Sequence, residues 1–505
     1  MPRRDTISLA DQSIPAWCSG NTAVARFARQ FAERSRKTFP SYWAFEQETM
    51  VGFRLFWRTF LDTSDLGWKG DSSEVCVGDD IEQATFFPDV RLNYAASLLS
   101  DRFAPDAIAL TALSSDQQSE HISRAALRAR VERLAGGLRE LGLVPGDRVA
   151  LVARNGAEAV VAALAVSALG GIVSSASPEA GADAIIDRFN QIEPRFVFAN
   201  LAPTAQDTGL PVAERIALVL RALPDVEAFI ALDGDASLLD VDVRRFDLAD
   251  MVGRSPIAMA DWPLLPFNHP LFILFSSGTT GRPKSIVHGA GGSLIEHAKE
   301  HRLHCDLGPS DSLYFHASCA WMMWNWQLSA LASGVRIVTY SGTIDTPGRL
   351  WTIAAEQGVT VLGASPPYFR LCQDSGIRPA QTHDLSRLRT IMSTGSILFD
   401  AQFAWVRETV KDVPVQTVSG GTDMIGCFVL GSPVLEVHDG EAQCRSLGLD
   451  VQALGAETPE DMGDLVCANP FPSRPLYFYG DRHGAERRDT RFHQSYFAAN
   501  PGYWT

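Results

Sequence analysis

From about residue 105 onward, short apolar runs of strand length alternate with longer stretches of helical length. The turn Pro145-Gly146-Asp147 opens a strand over 148–153. A helix over 157–169, a strand over 171–175, a helix over 182–192 and a strand over 196–199 follow. Regular alternation of this kind predicts βα units, which build a largely parallel sheet covered by helices. The segment 200–255 holds several Pro, Gly and Asp and reads as a looser join between two lobes. A second series then begins with strands over 271–275 and 285–288. Ser293 with Glu296 predicts a capping box that opens a helix running to about His304. Strands over 335–340, 359–362, 388–392 and 415–418, with a helix over 349–357, complete the series. Beyond 426 the pattern breaks into short strands at 428–430, 464–468 and 476–479.

The predicted fold class is therefore α/β, with two βαβ-type sheets, their helices and a small β-rich subdomain. Four segments are expected. Residues 1–95 carry Trp17, Trp43, Trp57 and Trp68 among charged residues and read as an N-terminal extension packed on the body. Residues 96–255 form a first α/β subdomain, 256–426 a second with the nucleotide site, and 427–505 the β-rich part.

Composition narrows the function classes. At 505 residues and 46% hydrophobic content, the chain can bury several cores. Asp and Glu exceed Lys and Arg, for a formal charge of −15, so the chain as a whole is a poor partner for nucleic acid. Any anion site must be built locally from backbone N–H groups and a few cations. Eight cysteines lie scattered with no C-x-x-C pair, which suits a reduced, cytoplasmic protein. No signal peptide is evident after Met1-Pro2-Arg3-Arg4-Asp5. The longest apolar run, 159–173, is too short and too rich in Ala and Gly to span a bilayer, and reads as a buried helix ending at Gly170-Gly171.

The richest chemistry lies between the strands at 271–275 and 285–288. Residues 276–284 read Ser-Ser-Gly-Thr-Thr-Gly-Arg-Pro-Lys. Ser276, Ser277, Thr279 and Thr280 offer hydroxyls. Gly278 and Gly281 let the backbone turn and bring N–H groups close to an anion, and Lys284 adds a mobile cation. The set suits a polyphosphate. It is not the phosphate loop that opens a helix with Gly-Lys-Ser, because Pro283 precedes Lys284. In open α/β sheets ligands sit outside the carboxyl ends of the strands, so the loops after the strands ending near 275, 392 and 418 are the expected site walls.

Those loops hold two further polar segments, Ser393-Thr394-Gly395-Ser396-Ile397 and Ser419-Gly420-Gly421-Thr422-Asp423. Each alone is a turn signal. A carboxylate such as Asp423 suits a hard cation bridging phosphates. The string from His316 to Trp326 contains Trp321, Met322, Met323, Trp324 and Asn325, which serve equally as core or as the wall of an acyl pocket. His297, His301 and His304 recur at i, i+4 and i+7, but nothing nearby completes a metal site. They read as surface or partly buried histidines, and Cys319 reads as packing.

The 276–284 string resembles the signature of the acyl-adenylate-forming family of acyl-CoA synthetases, luciferases and peptide-synthetase adenylation domains. The Trp-Met-Met-Trp-Asn string narrows the resemblance to acetoacetyl-CoA synthetases. So do Phe87-Pro88-Asp89-Val90-Arg91-Leu92-Asn93-Tyr94-Ala95, Asp187-Arg188-Phe189-Asn190-Gln191-Ile192-Glu193-Pro194 and Ser419–Asp423, a likeness running from about residue 40 to the end. The resemblance implies the large N-terminal domain of adenylate-forming enzymes. It implies activation of a small carboxylic acid with ATP and Mg²⁺, and then transfer to a thiol, normally that of CoA. Lys284 and Thr422 would be catalytic. Ser276, Ser277, Gly278, Thr279, Thr280, Gly281, Thr394, Gly395, Ser396, Gly421 and Thr422 would bind the nucleotide, and Asp423 would hold the metal. Trp321, Met322, Met323 and Gly420 would line the acid pocket.

Departures from the family pattern shape further expectations. Asp423 is one methylene shorter than the usual Glu. Ser419 replaces an aromatic platform for adenine. Gly420 stands where acetyl-CoA synthetases close the pocket with Trp, and the run Ala317-Ser318-Cys319-Ala320 is unusual for acetoacetate enzymes, so an acid larger than acetoacetate is expected. The family's His-Gly-Asp segment and C-terminal lid domain would follow Thr505. The expectation is either a piece of a longer ligase or a short enzyme that leaves thioester formation to a separate partner or carrier protein. The alternative reading is a catalytically impaired nucleotide-binding remnant acting through protein interaction. No membrane or nucleic-acid partner is expected.

Overall fold

The apolar runs at 148–152, 172–176 and 196–199 pair side by side, as strands buried on both faces must. The structure, a computed structural model, describes residues 15–116, 118–204, 207, 209–276, 283–458, 461–481 and 487–505. The loop residues Ser277, Gly278, Thr279, Thr280 and Gly281 lie outside the described residues.

The first sheet has eight strands in the order Arg244–Asp247, Ala228–Ala231, Phe196–Ala199, Arg148–Val152, Ile172–Ala176, Pro270–Ser276, Lys284–Gly289 and Tyr477–Phe478. Its first six strands run parallel, and the last two join antiparallel. The second sheet has seven, in the order Val415–Thr417, Thr390–Ser393, Val361–Ala364, Ser312–Phe315, Arg336–Tyr340, Ile108–Leu113 and Ser119–Ser123. All are parallel except the last. The sheets exchange strands across residue 255: the hairpin at 108–123 completes the second sheet, and the hairpin at 270–289 completes the first.

Helix Ala157–Ala168 is buried at every position except Glu158 and stops before Gly170, whose φ of 81° suits only glycine well. No described helix is long and apolar enough to cross a membrane. At the N-terminal end, helices Ala23–Ser35, Tyr42–Val51 and Phe53–Thr63 interlock through Phe27, Phe31, Phe45 and Phe56 in mostly edge-to-face contacts. They are tied to the body by Arg445, 2.7 Å from Glu46. The eight cysteines are free and buried.

Three expectations are corrected. The segment 200–255 is not a loose join: it carries helix Val212–Arg221 and the two outer strands of the first sheet. Ser293 and Glu296 form no capping box. The helix is Ala290–Lys299 with Gly289 at its N-cap, and the strand before it runs straight in. Its first N–H groups are satisfied instead by backbone, Ala290 donating to the His269 carbonyl and Gly291 to that of Phe267. Ser293 donates back to the Gly289 carbonyl at 2.8 Å. That helix continues as a π-helical turn over Glu300–His304, and His297, His301 and His304 are completely buried rather than at the surface.

Candidate active site

The chain leaves strand Ser312–Phe315 to lay its next strand on one side and then returns to pair on the other side. Such a reversal opens a crevice at the carboxyl ends of the strands. A cavity of about 480 Å³ lies there. Its walls are Trp321 to Met323, Thr394 to Leu398 and Thr417 to Thr422, with Cys427. The volume is in the range of ligand pockets.

The wall at 394–398 follows strand Thr390–Ser393. Gly395 has a φ of 100°, so the turn needs a residue without Cβ, and the Trp321 ring lies 3.5 Å from where that Cβ would stand. Thr394, Gly395, Ser396 and Trp321 thus share one wall.

The wall at 419–422 is the first strand of a hairpin, Ser419–Gly421 against Gly426–Leu430. A Cβ on Gly420 would stand 2.0 Å from the Gly426 carbonyl oxygen and 2.5 Å from the Cys427 Cα. Gly420 is therefore required by the close approach of two backbones. The expectation that its missing side chain enlarges the pocket is corrected: that direction points into the neighbouring strand.

Beneath the hairpin lies a fully buried polar layer that includes Glu296, His297, Lys299 and Glu300. The Cys427 N–H and Trp326 Nε1 each donate to Glu300 at 2.7 Å. Burial, and then the neighbouring Glu296, push the Glu300 carboxyl above its ordinary range. Lys299 pairs with Glu296 at 2.6 Å, both fully buried. His297 contacts the Ile425 carbonyl at 2.6 Å and the Ser329 hydroxyl at 2.8 Å. Burial lowers the His297 imidazole to about 4, so it stays neutral. Among the described residues no three His, Cys, Asp or Glu converge as metal ligands.

The aromatic string divides. Trp324 and Trp326 are core, whereas Trp321, Met322 and Met323 line the cavity. Asn155 fastens the turn before them, accepting from Trp324 Nε1 at 3.0 Å and donating to the Ala317 carbonyl at 2.9 Å. Ser175 donates to the Cys319 carbonyl at 2.6 Å. The Cys319 thiol is fully buried, which raises its pKa and leaves it inert.

Ser276 and Lys284 are Cα partners at the mouth of their hairpin. Both reach Asp423: Lys284 Nζ lies 3.7 Å from Asp423 Oδ1, and the Ser276 hydroxyl 3.5 Å from the same oxygen. Tyr496, which sequence reasoning missed, donates its hydroxyl to Oδ1 at 2.5 Å. Its ring faces the Lys284 ammonium, 4.8 Å from the centroid. Burial and the adjacent Asp423 charge raise the Tyr496 phenol well above its ordinary value, so it remains a donor. No motif surrounds Tyr496, and only the fold brings it to Asp423.

The crevice thus presents hydroxyl- and glycine-rich loops on one side and apolar side chains on the other, at a strand-order reversal where open α/β sheets bind ligands. The chain belongs to the AMP-binding enzyme family, whose model matches residues 100–455. Its relatives narrow the class. The acetoacetyl-coenzyme A synthetase of Rhizobium meliloti (strain 1021) is 37% identical over 476 residues, covering 93% of this chain and 73% of the relative. The acetoacetyl-CoA synthetase of Mus musculus is 36% identical over 433 residues, covering 83% of this chain and 64% of the relative. The solved acetoacetyl-CoA synthetase from Streptomyces lividans superposes with a TM-score of 0.89 at 34% identity, covering 97% of this chain and 76% of that one. The chain thus spans roughly two thirds to three quarters of these relatives' lengths.

Proposed function

We propose that this chain activates a small carboxylic acid with ATP, forming an acyl adenylate and pyrophosphate, as an acid–thiol ligase of the acetoacetyl-CoA synthetase type. One acid oxygen attacks the α-phosphorus. An O–P bond forms there, the bond to the bridging oxygen of the β-phosphate breaks, and pyrophosphate leaves with the electron pair. The acid reacts as its carboxylate, so no general base is needed, and the protein's task is to align two anions and offset their repulsion. The observation that carries the reading is the meeting of Lys284, Ser276 and Asp423 at one point beside a cavity walled by Thr394 to Ser396 and Gly420 to Thr422.

In this reading the adenine lies along Thr394, Gly395 and Ser396, and the acid lies against Trp321, Met322 and Met323. The phosphates lie toward Lys284, Thr422 and the hydroxyl loop from Ser276 to Gly281. Asp423 fits a hard cation: its side chain is 37% exposed, and among the described residues every polar contact falls on Oδ1, which leaves Oδ2 for a ligand. A single carboxylate suffices for Mg²⁺, which keeps waters and takes its other ligands from phosphates. Bound there, Mg²⁺ would offset charge building on the departing pyrophosphate.

The relatives' names favour a short keto acid and CoA as acceptor. The cavity's apolar side favours a bulkier acid than acetoacetate, because Met322 and Met323 are adaptable and, among the described residues, no charged side chain lines it. Carboxylate-dependent exchange of labelled pyrophosphate into ATP tests the adenylation. Exchange that rises with a panel of acids is expected. A chain that binds nucleotide yet exchanges with none would be a binding protein, and highest exchange with acetoacetate would overturn the larger-acid assignment. Adding CoA to the exchanging acid tests the second step by release of the acyl-CoA.

A further inference from the structure

We infer that Tyr496 is a positioning residue for the metal–nucleotide site, holding Asp423 by one oxygen so that the other is presented to a divalent cation. The inference rests on the adenylation reading and concerns a residue 73 positions from Asp423 in the chain.

The geometry carries it. Tyr496 is 2% exposed and its hydroxyl sits 2.5 Å from Asp423 Oδ1. Lys284 and Ser276 approach the same oxygen at longer range, 3.7 and 3.5 Å. The phenol is thus the short, directional contact and the other two are loose. A carboxylate pinned through one oxygen loses its freedom to rotate, which is what a ligand one methylene shorter than glutamate needs to meet a metal reproducibly.

The phenol is itself held firmly. Its ring stacks on Trp504 at 3.9 Å with an interplanar angle of 21°. Phe478 and Phe492 meet it edge-on at 5.4 and 5.3 Å. Trp504 is anchored by a two-way backbone bridge with Cys467. Phe478 belongs to the strand that pairs with the one beginning at Lys284. The segment 491–504 and the Lys284 strand therefore fix Tyr496 from both sides. With the same ring against the Lys284 ammonium, one side chain orients both charged groups of the site.

The test is Tyr496→Phe, which keeps the ring, its stack and its face toward Lys284 and removes only the hydroxyl. Binding of a non-hydrolysable ATP analogue is measured by calorimetry across a Mg²⁺ series, with thermal unfolding in parallel. The Mg²⁺ concentration giving half-maximal enhancement is expected to rise about tenfold, the factor carried by one lost hydrogen bond to a charged group. Affinity at saturating Mg²⁺ should return to that of the unaltered chain. Superimposable curves, or an equal loss of affinity at every Mg²⁺ concentration, would overturn the inference. In an Asp423→Asn background Tyr496→Phe should add nothing to the Mg²⁺ dependence; a further shift there also overturns it. If Tyr496→Phe does not fold, Trp504→Phe, which loosens the stack, should move the same Mg²⁺ midpoint upward, and an unmoved midpoint overturns the inference. An unaltered chain without Mg²⁺-dependent nucleotide binding would remove the adenylation reading and this inference together. Binding in the unaltered chain with no change in the variant removes this inference alone.

Discussion

Replacing Lys284 with Gln is the sharpest perturbation of the proposed site, because it removes one charge and little volume. Lys284 Nζ stands 3.7 Å from Asp423 Oδ1, with the two side chains 21% and 37% exposed. At that separation two unit charges interact by about 1 kcal/mol in water and about 4.5 kcal/mol at an effective dielectric of about 20. In the free chain the pair is open to solvent and screened, so its loss should change folding stability by no more than about 1 kcal/mol. With nucleotide and acid seated, water is displaced and Lys284 faces phosphate oxygens at comparable range, so the contribution moves toward the larger figure. A value of about 2.7 kcal/mol, midway between the limits, corresponds to about a hundredfold loss of rate. The assay is acid-dependent pyrophosphate exchange for Lys284→Gln beside a urea melt. Exchange down by about two orders of magnitude with a nearly unchanged melt is expected. Exchange within about threefold of the unaltered chain would refute the placement of phosphate at Lys284.

Gly420→Ala places a Cβ 2.0 Å from the Gly426 carbonyl oxygen, so the hairpin must open; a loss of about 1–3 kcal/mol in urea unfolding, with reduced exchange, is expected. Glu300 sets a pH dependence. Its folded-state pKa is raised, so the folded state holds the proton more tightly, and this stability is full below the unfolded carboxylate value and is lost as pH rises through the folded one. Thermal melts should therefore fall toward alkaline pH in the unaltered chain and fall less steeply in Glu300→Gln. Asn155→Leu strips the partners from Trp324 Nε1 and the Ala317 carbonyl; it should lower stability by about 1–3 kcal/mol and raise the KM for acid more than that for ATP in the exchange assay.

Much of the sheet framework was legible because buried parallel strands are short apolar runs, as at Phe196–Ala199, and because helix Ala157–Ala168 is apolar on every face. Strand Arg244–Asp247 escaped because an edge strand with exposed arginines shows neither apolar run nor alternation. The helix start at Ala290 was misread because carbonyls of Phe267 and His269, from the turn before strand Pro270–Ser276, cap it, and a local pattern cannot report a partner of that kind. His297, His301 and His304 read as surface or partly buried because sequence carries their polarity but not their place in the interior. The cavity walls at 394–398 and 419–422 were legible from glycine and hydroxyl residues placed directly after strands. Tyr496 was not, since an isolated tyrosine gives no signal until the fold carries it to Asp423.

A crystal structure of the chain with Mg²⁺ and a non-hydrolysable ATP analogue tests the central claim most directly. The account predicts the adenine along Thr394 to Ser396, the triphosphate reaching Lys284 and Thr422, and the metal on Asp423. A nucleotide bound away from this crevice, with Lys284 and Asp423 still paired to each other, would contradict it.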